Sequence, residues 1–259
     1  MSDPLQMQVR PELRDPALIL AFEGWNDAGE AATRVVRYLA ESFQMVSLAT
    51  IDPEEFYDFT VHRPVVRLDE GSVRRIEWPS FEFQFGSLAS GCELVIGVGA
   101  EPHLRWRSFC DQVMRLVGDL GIRRVVLLGA YLADVLYSRP VRVTGFASAP
   151  ELMERLSIEP TGYEGPTGIV GVLASQMRDA GVETVSLWAG LPHYIAATPN
   201  SRGVLALAQT LTQVLDFRVD EGPLQRAAAD FEARIAEIVA SDPALAEYVK
   251  DLKRREFAQ

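Results

Sequence analysis

Short apolar runs alternate with amphipathic stretches of helical length along most of the chain. Five runs, at 17–22, 45–51, 93–99, 123–130 and 183–189, are brief, rich in β-branched residues and bounded by breakers, which marks them as buried strands. The segment 28–43 ("AGEAATRVVRYLAESF") places Ala32, Val35, Val36, Leu39 and Phe43 on one face at helical spacing. The segment 106–120 does the same with Phe109, Val113, Leu116 and Val117. Further helices are expected at 167–180 and 199–215, the second with Pro199 in its first turn.

Strand–helix alternation of this kind predicts an α/β fold, a mainly parallel sheet with right-handed crossovers and helices on both faces. Two stretches break the rhythm. In "VVRLDEGSVRRIEWPSFEFQFG", starting at Val65, the Asp69-Glu70-Gly71 turn sits between alternating segments, a hairpin signal. Residues 142–147 ("RVTGFA") read as another short strand, so the sheet is expected to be mixed.

From Glu221 the chain becomes charged and Ala-rich. Leu224, Ala228, Phe231, Ile235 and Ile238 are spaced for one apolar helical face. Asp242-Pro243 breaks it, and Leu245, Tyr248, Val249 and Leu252 define a second helix. The pattern predicts a core domain over 1–220 and a C-terminal helical hairpin over 221–259, its apolar face covering the core or a neighbouring subunit. There are no internal repeats and no low-complexity tract.

A length of 259 residues fits one large domain or two small ones, and 48% hydrophobic residues suffice for a full core. The net charge of −11 argues against nucleic acid and anionic membranes as partners. The one basic stretch, 250–255, reads as the solvated last turn of a terminal helix. Cys92 and Cys110 lie far apart without a CxxC partner, which predicts buried thiols in a reducing compartment and no zinc site. No export signal is visible in the first sixteen residues, "MSDPLQMQVRPELRDP", and no apolar stretch approaches the ~18 residues of a membrane span. A cytoplasmic protein is expected.

Ligands of open α/β sheets bind at the carboxyl ends of parallel strands, so the turns there hold the candidate chemistry. In "LILAFEGWNDAGEAAT", Glu23 is placed to act as a base or hold a hydroxyl, and Trp25 to stack on a flat ligand. Asn26 or Asp27 is expected to cap the next helix, the routine role of such residues. In "GVGAEPHLRW", Glu101 and His103 follow a strand, and Arg105 or Arg107 is available to an anion. In "LLGAYLADVLYSRPVRVTG", Tyr131, Asp134, Ser138 and Arg139 are expected on a loop. In "SLWAGLPHYIAATPNSRG", His193 and Tyr194 follow the last strand, where a histidine either titrates or locks the loop. Gly165, Thr167 and Gly168 precede a helix as a candidate anion nest. If the strands run parallel, Glu23, Glu101, His103, Tyr131 and His193 share one rim. There is no GxSxG elbow, no GxxxxGK[ST] loop and no HExxH, and Pro102 replaces the last glycine of a GxGxxG. No cofactor or metal is expected.

Four stretches in order, "LAFEGWNDAGEAAT", "SRPVRVTG", "YEGPTGIVGVL" and "GLPHYIAATPN", resemble the proteasome assembly chaperone 2 family in its bacterial, actinobacterial branch. The resemblance runs from about residue 17 to about residue 215. It implies a nucleoside phosphorylase- or hydrolase-like α/β fold and self-association as a trimer. Eukaryotic members escort proteasome α-subunits as heterodimers, which makes proteasome subunits the implied partners. The family supplies no catalytic set, and the C-terminal hairpin departs from its eukaryotic members. The expected function is thus a non-enzymatic, chaperone-like interaction protein. The alternative is an enzyme or binder of a nucleoside-like or other polar ligand at the sheet's carboxyl edge.

Overall fold

A computed structural model describes residues 3–68, 74–88, 91–156, 158–195 and 198–257. The strands are β1 (Leu5–Met7), β2 (Ala17–Glu23), β3 (Val46–Ile51), β4 (Val65–Leu68), β5 (Arg74–Glu77), β6 (Phe81–Ser87), β7 (Glu93–Ala100), β8 (Arg124–Ala133), β9 (Val143–Ala147), β10 (Glu159–Pro160) and β11 (Glu183–Pro192). The helices are α1 (Ala31–Ser42), α2 (Trp106–Asp119), α3 (Pro150–Leu156), α4 (Ile169–Asp179), α5 (Ser201–Leu215), α6 (Gly222–Ser241) and α7 (Pro243–Phe257).

Nine strands form one mixed sheet in the order β1-β3-β6-β7-β2-β8-β11-β9-β10. Its centre, β7-β2-β8-β11, is parallel, and each of these strands is an apolar run buried on both faces. Period-two alternation divides their side chains between two cores. Ile19, Ala21, Val126 and Leu128 meet α1 and α5 on one face. Leu18, Leu20, Phe22, Val125 and Leu127 meet α2 and α4 on the other. The stripes read from α1 and α2 are the buried ones, with Phe43 at the end of α1 half-buried.

The antiparallel parts follow from local chemistry. β6 inserts between β3 and β7, antiparallel to both, so β3 keeps the direction of the central strands without pairing with them. This works because Phe81 and Phe83 project over Gly97 of β7, and Ser80 and Phe81 pass so close to Gly99 that a Cβ there would lie 2.2 Å from the Ser80 carbonyl oxygen. β9 runs antiparallel to β11. β4 and β5 form a separate two-stranded antiparallel ribbon; the Asp69-Glu70-Gly71 turn lies outside the described residues. β1, α3 and β10 are too short to leave a periodic signature in the sequence.

Two helix details differ from expectation. Pro199 precedes α5: Asn200 is the N-cap, its Oδ1 accepting the Gly203 N–H at 3.1 Å. In α6 the buried stripe is Leu224, Ala228, Phe231, Ile235 and Val239, while Ile238 is 49% exposed. Ile238 and Val239 stand three and four residues beyond Ile235 on the same face, and the packing of the satellite core covers Val239. Phe231, Ile235 and Val239 join Val249 and Leu252 of α7 and Leu136 after β8 in a satellite core, so the hairpin lies on its own chain. Both cysteines are free: Cys110 is buried, and Cys92 is only half-buried. Among the described residues, no helix is long and apolar enough to cross a membrane.

Candidate functional site

The order β7-β2-β8-β11 places Glu101, Glu23, Tyr131 and His193, each near the end of its strand or just past it, successively along one carboxyl rim. At the end of β2, Gly24 takes a positive φ of 102°, and the chain turns sharply. Trp25 is left 59% exposed, whereas Asn26 and Asp27 are drawn inside. The Ala130 N–H of β8 donates to the Asn26 carbonyl at 2.8 Å, which pins the turn to the sheet.

Asp27 caps α1. Its Oδ1 accepts the Ala32 N–H at 2.7 Å and the Thr33 N–H at 3.3 Å, and its Oδ2 accepts the Thr33 hydroxyl. Burial pushes its carboxyl above the usual range, against the pull of these hydrogen bonds. Asn26 has another task. Its Nδ2 donates to Glu101 Oε1 at 2.8 Å, and the same oxygen accepts the Ile169 N–H at 2.8 Å. Glu101 therefore joins the β2 turn to the positive end of α4. Gly168 is required here: a Cβ would lie 2.2 Å from Asn26 Oδ1. The expected anion nest around Thr167 is accordingly served from inside the protein by the Glu101 carboxylate; Thr167 itself is exposed, its hydroxyl donating to the Gly168 carbonyl at 3.4 Å.

Glu23 is paired with Arg37. His103 Nδ1 accepts the Asp58 N–H at 3.1 Å. Tyr57 and His62 pack edge-on near it, with centroids 5.9 and 6.4 Å from the His103 ring. Arg105 forms an ion pair with Glu55 at 2.5 Å. Trp25, His62, His103 and Trp106 line a shallow recess of about 610 Å³, with Glu23 and Glu101 alongside.

His193 and Tyr194 form a second group with Tyr248 of α7, ring against ring. Tyr131 lies within β8, not on a loop, and is exposed beside Gly190 of β11. His193 Nδ1 is 3.0 Å from Asp134 Oδ1, and the Tyr248 hydroxyl of α7 donates to that same oxygen at 3.2 Å. The Tyr194 hydroxyl donates to the Val135 carbonyl at 3.0 Å and accepts the Tyr137 N–H at 2.9 Å. The single crevice expected from topology thus divides in two. The β7 and β2 loops build the open recess, whereas the β8 and β11 loops are tied to the C-terminal hairpin. His62 and Tyr248 escape a sequence reading because each arrives from a distant element. The Asp134–His193 contact is implied once Pro192 of β11 is registered against Ala133 of β8.

The acids and imidazoles of the rim are thus engaged in positioning the fold. The rim also offers apolar groups outward: Trp25, Leu104, Tyr131, Leu132 and Tyr163 are exposed on it or on the loop before α4, among exposed polar residues such as Arg107, Asp134 and His193. Such groups bind by burying surface. Among the described residues, no cluster of three or more His, Cys, Asp or Glu is placed to hold a metal ion.

Comparison with known proteins agrees with the architecture. The model of the PAC2 family matches residues 21–239. A proteasome-assembly chaperone homologue of Mycobacterium tuberculosis superposes with a TM-score of 0.83 at 40% identity, over 90% of this chain and 99% of that one. A PAC2 family protein from Streptomyces avermitilis does so with a TM-score of 0.83 at 41% identity, over 91% of this chain and 100% of that one. An archaeal proteasome activator from Pyrococcus furiosus shares the fold, with a TM-score of 0.70 at 18% identity over 90% of this chain and 97% of that one. Among curated proteins none matches.

Proposed function

The chain belongs to the PAC2 family, and from that premise we propose that it is a proteasome-related assembly chaperone, a non-enzymatic protein that holds partners on its surface. The observation that carries this reading is the 40% identity, across 90% of the chain, to a protein described as a proteasome-assembly chaperone homologue. The exposed apolar residues at the carboxyl rim support it, because Trp25 and Tyr131 are of the residue types that anchor protein interfaces. In this reading the protein works in the cytoplasm as a homo-oligomer, a trimer as the resemblance implies, and its partners are proteasome subunits. Catalysis at the rim has less support. Glu23, Glu101, Asp27, His103 and His193 each already serve an internal partner.

The test is reconstitution. Purified proteasome α- and β-subunits are mixed with and without the protein, and particle formation is followed by native electrophoresis and co-elution. The expected result is co-elution with α-subunits and a changed rate of particle formation. Trp25→Ala, at an exposed position, should weaken both without altering the unfolding midpoint. An unchanged rate with no co-elution would remove the proposal.

A further inference from the structure

A second cavity, about 420 Å³, lies between the tips of β8 and β11, the start of α5 and the C-terminal helices. That volume falls within the range of small-molecule sites. Part of its wall is apolar, formed by Leu136, Pro192, Phe231 and Leu252. The rest includes Arg139, Arg142, Arg202 and Arg255, against the two carboxylates of Asp134 and Glu256. In a chain of net charge −11 this is a local reversal of sign. Asp134 is 3.0 Å from His193, whereas Glu256 pairs with Arg139 at 3.4 Å and Arg142 with Glu159 at 4.0 Å, so the cationic excess of the wall rests on Arg202 and Arg255.

Arg202 decides the chemistry. Its side chain is only 15% exposed. Nη2 donates to the Arg139 carbonyl at 2.8 Å, and Nε is 3.7 Å from Glu232. Nη1 is buried and has no hydrogen-bond partner. A buried guanidinium N–H without an acceptor is costly, and an anion relieves that cost better than a neutral group. Arg202 also belongs to the first turn of α5, two residues after the Asn200 cap, so the helix dipole adds positive potential.

We propose that this cavity binds a small amphiphilic carboxylate. Its head pairs with the Arg202 guanidinium, Arg255 adds charge from α7, and its apolar body rests against Phe231 and Leu252. Because the walls come from both the α/β core and the C-terminal hairpin, the bound molecule fastens one to the other, and its binding free energy adds to the stability of that junction.

The experiment titrates the full-length protein at low ionic strength with three probes: phenylacetate, its neutral isostere phenylacetamide, and inorganic phosphate. Binding is followed by calorimetry and by two-dimensional amide NMR. Phenylacetate is expected to saturate one site, with shifts at the β8 tip, the first turn of α5 and α7, and to bind about tenfold or more tighter than the amide. Arg202→Gln should remove that preference. Arg255→Gln, at an exposed position that leaves the core intact, should reduce it, and Arg34→Gln on α1 should leave it unchanged. No saturable binding of phenylacetate, equal affinity for the amide, or affinity untouched by both pocket substitutions would each overturn the proposal. Phosphate binding as tightly as phenylacetate would overturn the amphiphilic assignment.

Discussion

Asp27 illustrates how a single side chain at the rim is committed to structure. It takes up the free N–H groups of Ala32 and Thr33 from a buried position, so Asp27→Ala is expected to cost about 2 kcal/mol in urea unfolding, the upper range for loss of a helix cap. Its titration gives a second test. Because burial raises its pKa in the folded protein, the folded state binds the proton more tightly than the unfolded chain does. The stability associated with that proton is complete below the ordinary carboxylate pKa and is lost as pH rises through the raised one. Asp27→Asn, which keeps one acceptor oxygen and cannot ionise, should therefore gain on the parent over the interval that begins at the ordinary carboxylate pKa, about 4, and runs upward. A parent that gains on the variant over that interval would show that the hydrogen bonds outweigh desolvation.

At the scale of elements, the C-terminal hairpin is the part whose docking depends on a small core. Phe231 lies in it, walled by Leu136 and α7, and truncation to Ala should cost about 3–5 kcal/mol. Ile238, about two turns further along α6 and exposed, should cost under about 0.5 kcal/mol when truncated. Chemical denaturation of the two variants separates these outcomes, and a large loss at Ile238 would mean that this face is covered by something outside the chain. The hairpin was legible as two helices broken at Asp242-Pro243. Its exact stripe was not, because Ile238 and Val239 are adjacent apolar residues and only the direction of packing chooses between them. The β6 insertion was also hidden: "FEFQFG" alternates as any strand does, and its place depends on the space that Gly97 and Gly99 leave on β7.

For the molecule as a whole, the β4–β5 ribbon is the least satisfied feature. It pairs with no other strand among the described residues, and Val61, Val65, Val66, Leu68, Ile76 and Trp78 on or beside it are exposed. A lone two-stranded ribbon is marginal in water and its open edges accept further strands. A second copy of the chain is the occupant that fits the proposed homo-oligomer. The stretch 61–78 has four arginines against three carboxylates, so it meets the acidic remainder of a neighbour with less repulsion than most of the surface would. Sedimentation of a Leu68→Glu, Ile76→Glu double variant is expected to fall to the single-chain mass with the fold retained. A parent that sediments as one chain, or a variant that keeps the parent's mass, would sink this assignment.

Hydrophobic periodicity alone determined the α/β class, the central strands, the major helices and the apolar faces, because burial imposes periods of two and 3.6 that can be counted along the chain. It also placed Glu23, Trp25, Asn26, Asp27, Glu101, His103 and His193 at strand ends. Tertiary structure decided what those residues do. Whether a carboxylate is free or spent depends on which distant N–H it meets, as Glu101 meets Asn26 and Ile169. Such contacts leave no local pattern in sequence, since they are fixed only when strands far apart in the chain come into register.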